Sequence, residues 1–177
     1  MDEEEIISKV KEKQGLISKI QNALLAGYAV KEDLRELDKM LRESYYDNFR
    51  EYRYRWEKAY LEALETGQTG VDSAFKTVLQ TMDRIMAKIR RGDYGYAGLL
   101  DRKGHIRKSE LAHVFSYDKE LEGDVGALGE GIEKVSSSVD EEDWDAVPGL
   151  INSVRDSLLR LESKWMEREK RFRKVDV

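Results

Sequence analysis

The chain has 177 residues, no cysteine, a single proline and a formal net charge of −5, with 38% of residues charged and 40% hydrophobic. That length suits one domain with a core of its own. The lack of cysteine excludes disulfides and thiolate metal sites, and the anionic balance excludes a surface given over wholly to nucleic acid.

Glu, Lys, Arg, Leu and Ala are abundant, the composition of long helices whose narrow apolar stripe leaves most of the surface to solvent. No segment approaches the roughly 18 to 20 apolar residues of a membrane span. The opening Met1-Asp2-Glu3-Glu4-Glu5 lacks the basic-then-apolar pattern of a signal peptide, so a cytoplasmic location is expected.

Apolar spacing predicts five helices. The first runs from about Asp2 to Ala26 with the stripe Ile6, Val10, Ile17, Ile20 and Leu24, and Gly27 stands where a terminating glycine belongs. The second, about Lys31 to Glu65, is the longest. Its stripe is Val30, Leu34, Leu37, Leu41, Tyr45, Phe49, Tyr52, Trp56, Ala59 and Ala63, with consecutive four-residue steps from Leu37 to Phe49 that relax a left-handed supercoil. At about 1.5 Å per residue it reaches roughly 50 Å. Thr66 to Gly70 breaks the pattern, and Thr69 with Asp72 reads as a capping box with Asp in place of Glu.

The third helix carries Val71, Phe75, Val78, Met82, Ile85 and Ile89, with Arg90 and Arg91 suited to its C-terminal dipole and Gly92 to end it. A Gly- and Tyr-containing loop follows to Lys108, with room for a small hairpin around Asp101 to Gly104. The fourth helix starts near Ser109, runs through Leu111, Val114, Asp118, Leu121, Val125, Leu128, Ile132, Val135 and Val139, and closes at Ser136 to Ser138. The acidic run Asp140 to Asp145 opens the fifth, with Asp145 as N-cap and Pro148 in the first turn. Its stripe is Val147, Ile151, Val154, Leu158, Leu161, Trp165 and Phe172. The expected fold is therefore all-α: one helical domain over 1–177, an antiparallel, coiled-coil-like bundle. It is divisible into a three-helix part, 1–91, and a two-helix hairpin, 109–177, joined by the basic loop 92–108.

Several segments carry candidate chemistry. On the second helix, Tyr46, Tyr54 and Tyr60 fall off the stripe beside Arg50, Arg53 and Arg55, the composition of a protein interface. Local cation–π packing is the plainer alternative. Gly123, Ala127 and Gly131 are spaced four apart on the fourth helix and add a second candidate protein interface, where another helix could approach closely; a kink or a break in two fits the same glycines.

Arg84, Lys88, Arg90, Arg91, Arg102, Lys103, Arg107 and Lys108, with Tyr94 and Tyr96 interleaved, make a basic segment in which cations would hold phosphates and rings would stack on bases. The plainer account has these cations complementing a helix end and pairing with acidic faces of neighbouring helices. Around Gly104 the chain resembles the latter part of an EF-hand calcium loop, up to Glu110. With Leu99 in the first ligand position and Lys103 in the fifth, the resemblance implies a tight turn rather than a calcium site. Glu110 and His113 form the Glu-x-x-His pair of metal-binding bundles, but His105 has Arg102 three residues before it instead of Glu, so the second pair is missing.

Asp118 occupies a core slot. Because charged residues are rarely fully buried, the stripe is expected to rotate through Phe115 and Tyr117 and leave Asp118 at the edge. A buried Asp118 would need a partner such as Lys13 or a basic residue elsewhere. No cofactor and no enzyme signature is expected. The sequence favours a non-catalytic interaction module, self-associating or binding another protein; nucleic-acid binding through Arg84 to Lys108 is the runner-up, and a metal-binding bundle is remote.

Overall fold

The computed structural model describes residues 31–91 and 108–174, with side chains described over 39–91 and 117–170. These residues form four α-helices and no strand: α1 (Lys31–Glu65), α2 (Asp72–Arg91), α3 (Lys108–Asp140) and α4 (Val147–Lys174), with a 3-10 turn at Thr69–Val71 ahead of α2. The expected helix over Asp2–Ala26 and the hairpin near Asp101 lie outside the described residues. The expected long second helix and the observed α1 share their bounds.

Each helix buries the stripe that its spacing marks out. In α1, Leu41, Tyr45, Phe49, Trp56, Ala59 and Ala63 are buried and Tyr52 is half-buried. In α2, Phe75, Val78, Met82, Ile85 and Ile89 are buried; in α3, Leu121 to Val139 at every slot; in α4, Val147 to Trp165 at every slot. Trp56 is fully enclosed, and its indole N–H, which burial would otherwise strand, donates to the Phe75 carbonyl at 3.1 Å.

The four stripes meet in a square bundle. α1 packs on α2 and α3, and α4 packs on the same two helices. Cross-helix contacts fix the directions. Arg53 meets Asp83 and Trp56 meets Phe75, so α1 and α2 are antiparallel; Arg55 reaches Glu133 while Tyr45 reaches Asp118, so α1 and α3 are parallel. Arg84 and Lys88 reach Glu162 and Met166, so α2 and α4 are parallel. Two antiparallel hairpins thus lie side by side, and residues 92–107 join helices on a diagonal of the square.

The same device closes both hairpins. After α1, the Gln68 N–H bonds to the Ala63 carbonyl (2.9 Å) and the Gly67 N–H to that of Leu64 (3.0 Å), with Gly67 at φ 78°. After α3, Asp143 bonds to Ser138 (2.9 Å) and Glu142 to Val139 (3.0 Å), with Glu142 at φ 57°. Both satisfy the last helical carbonyls by a left-handed residue. Glu142 does so without glycine's freedom, at a cost of about 1 kcal/mol.

Three local expectations change. The Thr69–Asp72 capping box does not form: Asp is one methylene shorter than the usual Glu, and its carboxylate accepts instead from the Tyr60 hydroxyl and from Lys76 at 2.9 Å. α3 continues past Ser138 to Asp140, because Val139 fills a core slot. α4 opens at Val147, one residue later than an Asp145 cap implies, and the Ala146 carbonyl takes the first helical bond, from Leu150 at 3.2 Å. Pro148 does fall in the first turn.

The glycines of α3 do not divide it, since one helix runs from Lys108 to Asp140. Gly129 has a steric reason to be glycine: a Cβ there would lie 2.6 Å from the Tyr52 hydroxyl oxygen. Gly123 and Gly126 have no atom within 4 Å of a Cβ. Gly126→Ala is therefore expected to raise stability by about 0.5 to 1 kcal/mol through helix propensity alone. Gly129→Ala should gain less or lose stability, because the Tyr52 ring must move; paired urea titrations of the two variants measure the contrast.

Candidate interaction surface

At the end of the bundle away from the two hairpin turns, the core is polar. Asp118 is 1% exposed and Arg168 2% exposed. Arg168 holds the Asp118 carboxylate through Nε to one oxygen and through Nη2 to the other at 3.0 Å. This corrects the expectation that Asp118 lies at an edge. The stripe does not rotate away from it, because α4 supplies a cation in the core slot after Trp165. The apolar spacing of α4 steps from Trp165 to Phe172 and so does not mark Arg168.

The surroundings are built to hold that charge. The Arg168 guanidinium lies over the Trp165 ring at 5.2 Å and that of Arg42 lies over the same ring at 5.3 Å. Arg42 is itself 3% exposed and donates to the Ile89 carbonyl at 3.2 Å. It falls inside because each four-residue step from Leu37 to Phe49 turns the α1 stripe by about 40°. Tyr45 donates to the Asp118 backbone carbonyl at 3.0 Å and meets Trp165 edge-to-face at 6.0 Å. Burial, reinforced by the Asp118 carboxylate, pushes the Tyr45 hydroxyl well above its ordinary 10, so it remains a donor.

The candidate interface residues on α1 separate into two groups. Tyr60 stacks on Phe75 with centroids 5.5 Å apart, and Arg53 bridges Asp83 at 2.6 Å and Glu57 at 3.1 Å, so both serve the α1–α2 hairpin. Tyr46 is half-buried under the Arg90 guanidinium, 5.9 Å from its ring. Beside it runs an open groove of about 580 Å³ lined by Lys39, Glu43, Asp47, Arg50 and Arg90. Arg50 and Tyr54 point outward, and Tyr54 is 69% exposed.

Two further exposed apolar side chains on α1, Met40 at 42% and Leu61 at 54%, were not singled out from the sequence. The signal was there: 40, 47, 54 and 61 are spaced by seven, on the side of the helix opposite the buried stripe. On α3, Gly123 and Ala127 face solvent, while Gly131 is half-buried with the Val154 methyl 3.3 Å from where its Cβ would be.

The basic segment is partly spent. Arg84 grips Glu162 with both Nε (2.7 Å) and Nη2 (2.8 Å), and Lys88 adds a third bond at 2.7 Å. With Arg90 over Tyr46, Arg91 alone of the basic segment's four described cations makes no such contact. Tyr94, Tyr96, Arg102, Lys103 and Arg107 lie outside the described residues, as do the side chains of Lys108, Glu110 and His113. Among the described residues no group of three or more His, Cys, Asp or Glu is placed to hold a metal ion, and no helix is long and apolar enough to cross a membrane. Compared with known proteins, the chain matches no family model, no curated protein and no solved structure.

Two expectations follow. Asp118→Asn removes the carboxylate charge that the buried Arg168 guanidinium holds through two hydrogen bonds and should cost about 3 to 5 kcal/mol by urea unfolding. The double replacement Asp118→Leu with Arg168→Met should be more stable than either single variant, since the desolvation of both charges disappears together.

The second concerns acid. The Arg84 hydrogen bonds, helped by Lys88, outweigh partial burial and hold the Glu162 carboxyl at about 2, below its ordinary 4.5. A depressed folded value means stabilisation that is complete above the unfolded value and lost as pH falls through the folded one. The stability gap between the wild-type chain and Glu162→Gln should be constant above pH 4.5 and close between pH 4.5 and about 2. A gap that persists unchanged to pH 2 contradicts the assignment.

Proposed function

We propose that this chain is a non-catalytic helical interaction module that binds protein, either a second copy of itself or another chain, through a helix face. The observation that carries the reading is the row Met40, Tyr54 and Leu61 on α1, large apolar side chains 42%, 69% and 54% exposed, in line with one another and opposite the core. Scattered surface apolar groups need no account, but an aligned row on the back of an already packed helix is a second apolar stripe. Tyr beside Arg50 adds a composition enriched at protein interfaces.

The distribution of charge supports the same surface. Cations that face neighbouring helices are matched there: Arg53 with Asp83, Arg55 with Glu133, Arg84 and Lys88 with Glu162, Lys164 with Asp124. These contacts hold the bundle together and leave α1's outer face with aligned apolar groups beside the uncommitted charges of Arg50 and Lys58; α4 exposes a shorter apolar pair, Leu159 and Met166.

The test is binding that depends on this face. Sedimentation of the purified chain over a concentration series, together with capture from extract of its native source, should reveal self-association or a retained protein. Either should weaken at least about tenfold in Tyr54→Lys, as expected for a central interface aromatic, while helix content by circular dichroism stays unchanged. A chain that neither self-associates nor retains any protein in a Tyr54-dependent way contradicts the proposal.

A further inference from the structure

We infer that the outer face of α1 is a homodimer interface, in which two copies of the chain pair their α1 helices antiparallel about a two-fold axis at Tyr54. The inference rests on the interaction-module reading and names the partner: a second copy.

The seam is the column Met40, Asp47, Tyr54 and Leu61. Helices joined by a single seven-residue column need their flanking charges to match, and here the flanks carry the information. Arg50 and Lys58 are exposed and, among the described residues, make no ion pair. Arg50 and Glu57 are seven apart on one flank of the column, and Glu51 and Lys58 are seven apart on the other.

In an antiparallel pair each flank lies against the same flank of the other copy. Arg50 stands four residues before Tyr54 and Glu57 three after it, so a two-fold axis at Tyr54 sets Arg50 against Glu57 of the partner subunit. By the same count Glu51 meets Lys58 of the partner subunit. Both flanks are therefore self-complementary, as a two-fold interface requires. Glu57 and Glu51 already hold Arg53 and Arg55 on their own helix, and a carboxylate has acceptor sites for a second cation.

Asp47 decides the direction. In a parallel, in-register pair the two Asp47 carboxylates would face each other in the seam, a like-charge contact that opposes association. In the antiparallel pair Asp47, seven before Tyr54, lies opposite Leu61, seven after it, and the carboxylates are far apart. With the axis at Tyr54 the paired stretch runs from Asp47 to Leu61, about 20 Å of helix, with Met40 beyond it, a small interface that suits a weak, reversible dimer.

Sedimentation equilibrium of the full chain up to about 500 μM should show a monomer–dimer equilibrium. Lys58→Glu should raise the dissociation constant at least about tenfold, and adding Glu51→Lys should restore it to within about threefold by re-pairing the flank with signs reversed. These residues are exposed, and circular dichroism should show folding unchanged.

Because the chain has no cysteine, register can be read directly. Tyr54→Cys, at the axis, should form a disulfide-linked dimer on mild oxidation. Leu61→Cys should not, since its mate lies about 14 residues, roughly 20 Å, along the pair. A strict monomer, a dimer indifferent to Lys58→Glu, or linkage through position 61 as readily as through 54 overturns the inference. A strict monomer that still retains another protein in a Tyr54-dependent way overturns the dimer alone and leaves the interaction-module reading standing.

Discussion

The pairing of Asp118 with Arg168 sets the register on which the rest of the bundle depends. The apolar slots of α3 and α4 repeat every seven residues, and their side chains are nearly interchangeable: Leu121, Val125, Leu128, Ile132, Val135 and Val139 against Val147, Ile151, Val154, Leu158, Leu161 and Trp165. Sliding one helix along the other by a heptad would preserve most of that burial. It would also set Asp118 against an apolar slot, at a cost of several kcal/mol for an unpaired buried charge. Hydrophobic burial supplies the bulk of the stability and is indifferent to such a slip. The buried charges supply the discrimination. A single buried polar position serves the same end in coiled coils.

Once the register is set, the turns and the surface pairs agree with it. Both hairpins end in the same left-handed closure, at Gly67 and Glu142, so the two turns lie at one end of the molecule and the polar node at the other. Arg84 and Lys88 reach Glu162 across the α2–α4 seam, and Arg55 reaches Glu133 across the α1–α3 seam. Exposed pairs of this kind add little stability individually. Their use is in matching the parallel faces of the two hairpins, which no turn connects. Local, packing and electrostatic preferences thus select one arrangement among several with similar apolar burial.

Much of this was legible in the sequence because an α-helix converts spacing into direction. Every described apolar slot taken from the alternating threes and fours is buried or half-buried, and the long second helix ends where its pattern breaks. What failed was the treatment of charge. Asp118 was moved to the edge because charged residues are seldom buried, a rule that holds only when no opposite charge reaches the same layer. Counting slots supplies the missing step. Counted away from the turn, Asp118 is the seventh slot of α3 starting from Val139 and Arg168 the seventh of α4 starting from Val147, so an antiparallel hairpin brings the two together. The Tyr52–Gly129 contact had no comparable signal. It joins helices from different hairpins, and only the packing of those hairpins reveals which of several glycines is obligatory.

The same logic bears on the surface of α1. Reading one stripe per helix assigns each apolar residue either to the core or to chance exposure, and on that basis Met40 and Leu61 pass unnoticed while Tyr46 and Tyr60 are grouped with Tyr54. Burial separates them: Tyr46 and Tyr60 are consumed by Arg90 and Phe75, and Tyr54 stands with Met40 and Leu61. A helix of 35 residues has length to spare for a second seam once its first is filled. The α1 helix runs alongside both α2 and α3, so its core stripe and both its flanks are committed inside the bundle. The only direction left for an aligned apolar column is outward. There its exposure carries a standing solvation cost of about 25 cal/mol per Å² of apolar surface, which contact with another helix would relieve.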